Sequence, residues 1–191
     1  FDMINMKISP TIVTFNTIID AYIRMNDLES AWNIYEDLIS NGVTPDSFTY
    51  STLFHGIRNS SHRTYLMKSL LILDQLKESL STIDIILVNV LLDSCISLKE
   101  TGMMFELFEK VKSDYYSPLR PDIITYNTFI KGCAQINDFN RAYNAFNKML
   151  TEVNPNDVTF NTMIDVCVRT NNMTEVWKVI EQMKDYDIKP D

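Results

Sequence analysis

The tetrapeptide Thr14-Phe15-Asn16-Thr17 comes back four times with small changes. It recurs as Thr49-Tyr50-Ser51-Thr52, Leu87-Val88-Asn89-Val90, Thr125-Tyr126-Asn127-Thr128 and Thr159-Phe160-Asn161-Thr162. A second marker stands six residues ahead of each Asn or Ser: Pro10, Pro45, Ile83, Pro121 and Pro155. Self-similarity at a fixed period of roughly 20–50 residues is the signature of stacked repeats and decides the architecture before any local reading. Closing each unit just after the marker gives units 12–46, 47–84, 85–122, 123–156 and 157–191. Residues 1–11 are then the tail of a preceding unit, and the flanking sequence is expected to continue in a longer protein.

Each unit reads as two helices. In the first, Phe15, Ile18, Ile19, Tyr22 and Ile23 fall at helical spacing, as do Leu28, Ala31, Ile34, Tyr35 and Leu38. Asn26-Asp27 separates the two stripes with capping chemistry. Gly42 suits a helix C-terminus, and Pro45 disfavours helix in the residue before it. Matching places in the first helices hold Ala21, Gly56, Ser94, Gly132 and Val166, so backbones are expected to approach closely there. The two longer units place their extra residues near Asn59–Arg63 and near Tyr115–Arg120. The fold class is therefore all-α, a helical-repeat solenoid of about five two-helix units.

Composition narrows the function. Of 191 residues, 46% are hydrophobic and 22% charged, as in an ordered globular chain, and no apolar run reaches the ~18 residues of a membrane span. Three Cys without a C-x-x-C and two His outside H-x-E or H-E-x-x-H settings exclude a four-Cys zinc site and the common zinc-hydrolase motifs. The net charge of −8 argues against nucleic-acid binding driven by charge alone. Cys95, Cys133 and Cys167 share one repeat place with Tyr22 and Ile57, which makes them a core stripe rather than a metal cluster. Trp32 and Trp177 share another and read as packing residues. Asp20, Asp93 and Asp165 match in register and read as a solvated or ligand-side stripe, and neither His55 nor His62 stands in a catalytic setting.

The units resemble pentatricopeptide repeats, whose opening T-Y/F-N-T-L-I-D and closing I-K-P-D are matched by Thr14–Asp20, Thr159–Asp165, Arg120-Pro121-Asp122 and Ile188-Lys189-Pro190-Asp191. The third unit keeps only the Asn of the opening, and Ile83 replaces its preceding Pro. The resemblance implies a right-handed superhelix that binds single-stranded RNA at one base per repeat. It assigns base reading to Asn16 with Asp46, Ser51 with Asp84, Asn89 with Asp122, Asn127 with Asn156, and Asn161 with Asp191. Val13, Phe48, Ile86, Ile124 and Val158 would pack against the bases, and Arg24 and Arg169 would meet phosphates. At the places matching those arginines, Asn59, Ser97 and Gln135 are uncharged, so the phosphate track is thin. Four of the 25 acidic residues stand at reading places, so half of the net charge lies there.

Asn presents both donors and an acceptor, whereas an ionised Asp only accepts. With the family's pairing tendencies, the expected footprint is 5′-UGU(C/U)U-3′. Helix N-terminal capping is the structural alternative for Asn16, Asn127 and Asn161. The family further implies organelle RNA processing, stability or translation in a mitochondrion or plastid. No cofactor and no catalysis are expected from these residues, although relatives carry deaminase-like or nuclease domains after their repeats. The competing expectation is a protein-interaction scaffold, such as a repeat subunit of an organellar ribosome or another ribonucleoprotein assembly.

Overall fold

Among the described residues ten helices follow one another along the chain. They are α1 Ile12–Arg24, α2 Leu28–Ser40, α3 Ser47–Arg58, α4 Arg63–Leu76, α5 Ile85–Ser97, α6 Thr101–Lys112, α7 Ile123–Gln135, α8 Phe139–Glu152, α9 Asp157–Arg169 and α10 Met173–Asp185. The computed structural model describes residues 10–58, 60, 62–77, 84–113 and 115–189; among them there is no strand. None of the described helices is long and apolar enough to cross a membrane.

The chain divides into two compact units, residues 1–99 and 100–191. In the first, α1, α3 and α5 pack in sequence, with α2 and α4 against them. Ile19, Leu53, Phe54, Ile57, Val88, Leu91 and Leu92 are fully buried along this stack. In the second unit α7 packs against α9, and α6, α8 and α10 flank them. Tyr126, Ile130, Phe146, Phe160 and Met163 close its core. Burying one such side chain contributes about 1.5–3 kcal/mol relative to leaving it exposed.

The turn between the two helices of a repeat is built from backbone geometry that residue type favours. Asn26, Lys99, Asn137 and Asn171 hold one repeat place and all lie in the left-handed region, at φ 59°, 59°, 55° and 58°. Asn tolerates that region better than most residues, which explains its recurrence. The next residue reaches back to the preceding helix: Asp27 N–H donates to Tyr22 C=O at 2.9 Å, Asp138 to Cys133 at 3.0 Å and Asn172 to Cys167 at 2.8 Å. Asp27 and Asp138 then start the following helix, accepting from Ser30 N–H at 3.0 Å and from Arg141 N–H at 3.1 Å. One residue thus closes one helix and opens another within a single turn.

Small residues do let helices approach. A Cβ on Gly56 would stand 2.3 Å from Ile23 Cδ1 and 3.1 Å from Leu28 Cδ1. None of the three cysteines is in a disulfide, and all are fully buried, as their shared register implies. Burial, with a smaller contribution from Asp138, pushes the Cys133 thiol up to about 12. Burial and then Glu175 push Cys167 up to about 11.

Two expectations need correction. α4 begins as many residues after Ser51 as the second helix of every other repeat does after its own Asn. The extra length of the second repeat therefore does not lie near Asn59–Arg63; it follows α4, before Ile85. The two tryptophans also part company. Trp32 is 2% exposed and stacks on Tyr65 at 5.4 Å, whereas Trp177, on the last of the described helices, is 65% exposed.

Candidate nucleic-acid interface

The first helix of every repeat starts at the residue assigned to close the previous one. Asp84, Asp122 and Asn156 are the N-caps of α5, α7 and α9. Asp46 precedes α3 and accepts the Thr49 N–H at 2.8 Å. The matching bonds are Leu87 to Asp84 at 3.0 Å, Thr125 to Asp122 at 2.7 Å and Thr159 to Asn156 at 3.0 Å. Thr125 and Thr159 complete capping boxes by returning their hydroxyls to the cap backbone. Capping therefore belongs to the closing residue, and not to Asn16, Asn127 or Asn161, which sit one turn inside their helices. The signal was in plain view: Asp or Asn stands three residues ahead of Thr49, Thr125 and Thr159, and of Leu87 in the third repeat.

The apolar residue at the second position of each first helix faces solvent. Val13 is 69% exposed, Phe48 57%, Ile86 58%, Ile124 57% and Val158 52%. Burial is the rule for such side chains two residues further on, on the opposite side of the helix, as at Phe15, Tyr50 and Phe160. A Val, Ile or Phe repeatedly left in water at one register place is a surface without a cover.

Of the proposed pairs, Asn16 and Asp46 are in direct contact. Asn16 donates its amide to Asp46 Oδ1 at 3.2 Å and accepts the Thr49 hydroxyl at 2.7 Å. It is 7% exposed and locked in one orientation. Partial burial works to raise the Asp46 pKa, but hydrogen bonds from Thr49 and Asn16 together hold the carboxyl below its ordinary value. No hydrogen bond joins Ser51 to Asp84, though Asp84 is exposed and Ser51 half-buried. Asn89 is 8% exposed within α5 in the first unit, and Asp122 belongs to the second. Asn127 is half-buried, and its side-chain oxygen has no hydrogen-bond partner. Asn161 is exposed on α9, while Asp191 lies outside the described residues.

The arginines are not bare. Arg24 pairs through Nε with Asp20 at 2.7 Å, and Arg169 pairs in the same way with Asp165 at 2.7 Å. Arg58, missed in the sequence because it stands one place off their register, reaches from α3 to Asp93 on α5 at 2.8 Å. The register-matched aspartates thus each hold an arginine. All three pairs are partly exposed, and pairs of this kind are worth at most about 1 kcal/mol. Among the described residues no group of three or more His, Cys, Asp or Glu is arranged to hold a metal ion.

The model of the PPR repeat family matches residues 10–59, 121–165 and 155–191. A mitochondrial pentatricopeptide repeat-containing protein of Arabidopsis thaliana is 27% identical over 143 residues, covering 73% of this chain but 14% of that protein. A second Arabidopsis relative is 25% identical over 158 residues, 22% of its length. The chain therefore spans less than a quarter of either. Among solved structures, PPR10 in complex with an 18-nucleotide psaJ RNA element superposes with a TM-score of 0.71 at 20% identity, over 96% of this chain and 26% of that one. The PPR domain of Arabidopsis protein-only RNase P 1, in complex with tRNA, gives 0.68 at 18% identity over 92% and 90%. These likenesses place the chain among all-α helical-repeat solenoids.

Proposed function

Because the chain belongs to the pentatricopeptide repeat family, we propose that it is a sequence-selective single-stranded RNA-binding module. The observation that carries this reading is that an apolar side chain is exposed at the second position of each first helix, three times in the first unit and twice in the second. A base laid on each would cover surface that the fold leaves in water, and every base has a face to offer. Three positions further along stands Asn16, Ser51, Asn89, Asn127 or Asn161, on the same side of the helix and able to meet a base edge. Asn16 supports the assignment most directly. Asp46 and Thr49 fix its amide, so its remaining N–H is preset before any ligand arrives.

On this reading Val13, Phe48, Ile86, Ile124 and Val158 pack the bases, and Arg24 and Arg169 meet phosphates. The site reads 5′-UGU(C/U)U-3′. The closing residues Asp46, Asp84, Asp122, Asn156 and Asp191 orient the readers or accept from guanine. The segment acts by binding rather than by catalysis, on RNA of an organelle; the mitochondrial relative supports that setting.

The test changes one base. Asn161→Thr, with Asp191 kept, removes the amide that matches a pyrimidine and leaves a carboxylate for guanine donors. Titrating labelled RNA by fluorescence anisotropy at fixed salt, the native chain should prefer a site ending UGUCU and the variant one ending UGUCG. Each mismatch should cost about 1–3 kcal/mol, with protein–DNA mismatches as the guide. Equal affinity for both sites before and after the change would sink the reading at this repeat.

A further inference from the structure

The second unit carries a pocket that the repeat plan does not require. It holds about 260 Å³ between α6, α7 and α8, within the second unit. Phe105, Phe108 and Phe129 form its floor, with Phe108 and Phe129 stacked at 3.8 Å and Phe105 edge-on to Phe129 at 5.8 Å. Lys112, Arg141 and Lys148 line it too, against one carboxylate, Glu109. The Arg141 guanidinium lies 4.2 Å from the centre of the Phe105 ring.

The same places in the first unit show how the pocket arises. Counted from the helix starts, Phe105 and Arg141 answer to Trp32 and Tyr65. There the two rings stack on each other at 5.4 Å. Replacing an indole by a phenyl ring and a phenol by a guanidinium removes that stack. Lys112 and Lys148 answer to Ile39 and Ile72. Two apolar side chains have thus become cations at the very place where the rings have become smaller. An aromatic floor beneath three cations suits a planar ring that carries an anion.

We infer that this pocket binds a nucleoside monophosphate, its base against Phe105 and Phe129 and its phosphate among Lys112, Arg141 and Lys148. At about 260 Å³ the cavity is slightly smaller than the ~300–1,000 Å³ of pockets for drug-sized ligands, which limits the occupant to a small molecule. A dianionic phosphate also matches three cations better than a carboxylate would. The cations are at present paired: Lys112 with Glu109 at 2.6 Å, Lys148 with Glu152 at 2.7 Å and Arg141 with Asp138 at 2.7 Å. All three pairs are exposed enough to open cheaply, so phosphate can compete for the cations. The pocket is built on α6, α7 and α8, and none of its lining residues is assigned to base reading.

The experiment is calorimetric titration of the 191-residue chain with AMP at low salt, beside adenosine and inorganic phosphate. AMP should bind saturably at one site per chain, and each fragment about tenfold or more weaker. Lys112→Ile with Lys148→Ile, which restores the residues of the first unit, should weaken AMP by about tenfold or more. Lys148→Gln should weaken it in the same direction, with far-UV dichroism showing both variants folded. No saturable uptake of AMP overturns the proposal, and so does undiminished binding by either folded variant. Phosphate binding as tightly as AMP would reduce the site to a simple anion contact and overturn it as well.

Discussion

A single carboxylate decides how available each arginine is. Asp20 and Asp165 stand one turn before Arg24 and Arg169 and hold their Nε atoms at 2.7 Å, so an RNA phosphate must displace a carboxylate to reach either cation. Asp165→Asn removes that competitor without removing a cation. Affinity for single-stranded RNA should then rise about two- to fivefold, the worth of an exposed charge pair, and the gain should fade as salt increases. Anisotropy titrations at two salt concentrations check this. An unchanged affinity at low salt would place Arg169 off the path of the strand. The sequence showed both members of these pairs at matching places. Only the geometry showed that they neutralise each other, because i,i+4 neighbours on a helix also point freely into water when their rotamers differ.

At the scale of the helical turn, most of the fold was legible, and for a stated reason. Asn26-Asp27 and Asn137-Asp138 mark the bend twice over, once by tolerance of positive φ and once by capping, whereas Asn171-Asn172 marks it by positive φ without a side-chain cap. The third repeat has Lys99-Glu100 there instead, and the backbone bends in the same way at φ 59°. A left-handed conformation costs an ordinary L-residue roughly 1–2 kcal/mol, which glycine escapes apart from its greater freedom when unfolded. Lys99→Gly should therefore stabilise the chain by about 0.5–1 kcal/mol, seen as a higher urea midpoint with an unchanged slope. A lower midpoint would show that the Lys99 side chain contributes packing that outweighs the strain. What was illegible at this scale was the position of the second repeat's extra residues. A polar run at Asn59–Arg63 reads as an inserted loop, but Arg63 already begins α4. Polar residues on the rim of a helix carry no mark of the boundary.

Across the whole molecule the buried thiols and phenols set a limit on alkaline stability. Cys133 moves from an ordinary 9.0 to about 12 and Cys167 from 9.0 to about 11, chiefly through burial. Burial also raises Tyr35 and Tyr126, the latter hydrogen-bonded to Glu152. Each of these folded-state values lies above the unfolded one. The stabilisation is fully present below about pH 9 and is lost as pH climbs through the folded values. Urea midpoints should hold steady on this account from pH 7 to 8.5 and fall by pH 10.5. Cys133→Ala with Cys167→Ala should flatten part of that fall. A midpoint that does not decline between pH 8.5 and 10.5 would mean these groups ionise in place. The register alone forecast that the cysteines are core residues; the size of their shift needed the packing around them.

The residue that begins each first helix is also the one assigned to the RNA edge, and this double duty restricts how such a chain can change its target. Asp, Asn, Ser and Thr start helices well, and replacing one of them by an aliphatic residue there costs about 1 kcal/mol per repeat. Mutational drift at Asp46, Asp84, Asp122 and Asn156 is therefore channelled into a four-letter alphabet before any RNA is consulted. Exchange of Asp for Asn is nearly free, whereas exchange of either for a larger apolar residue is taxed at every repeat and accumulates along the array. The vocabulary of bases open to a lineage of such repeats is then bounded by the thermodynamics of starting a helix.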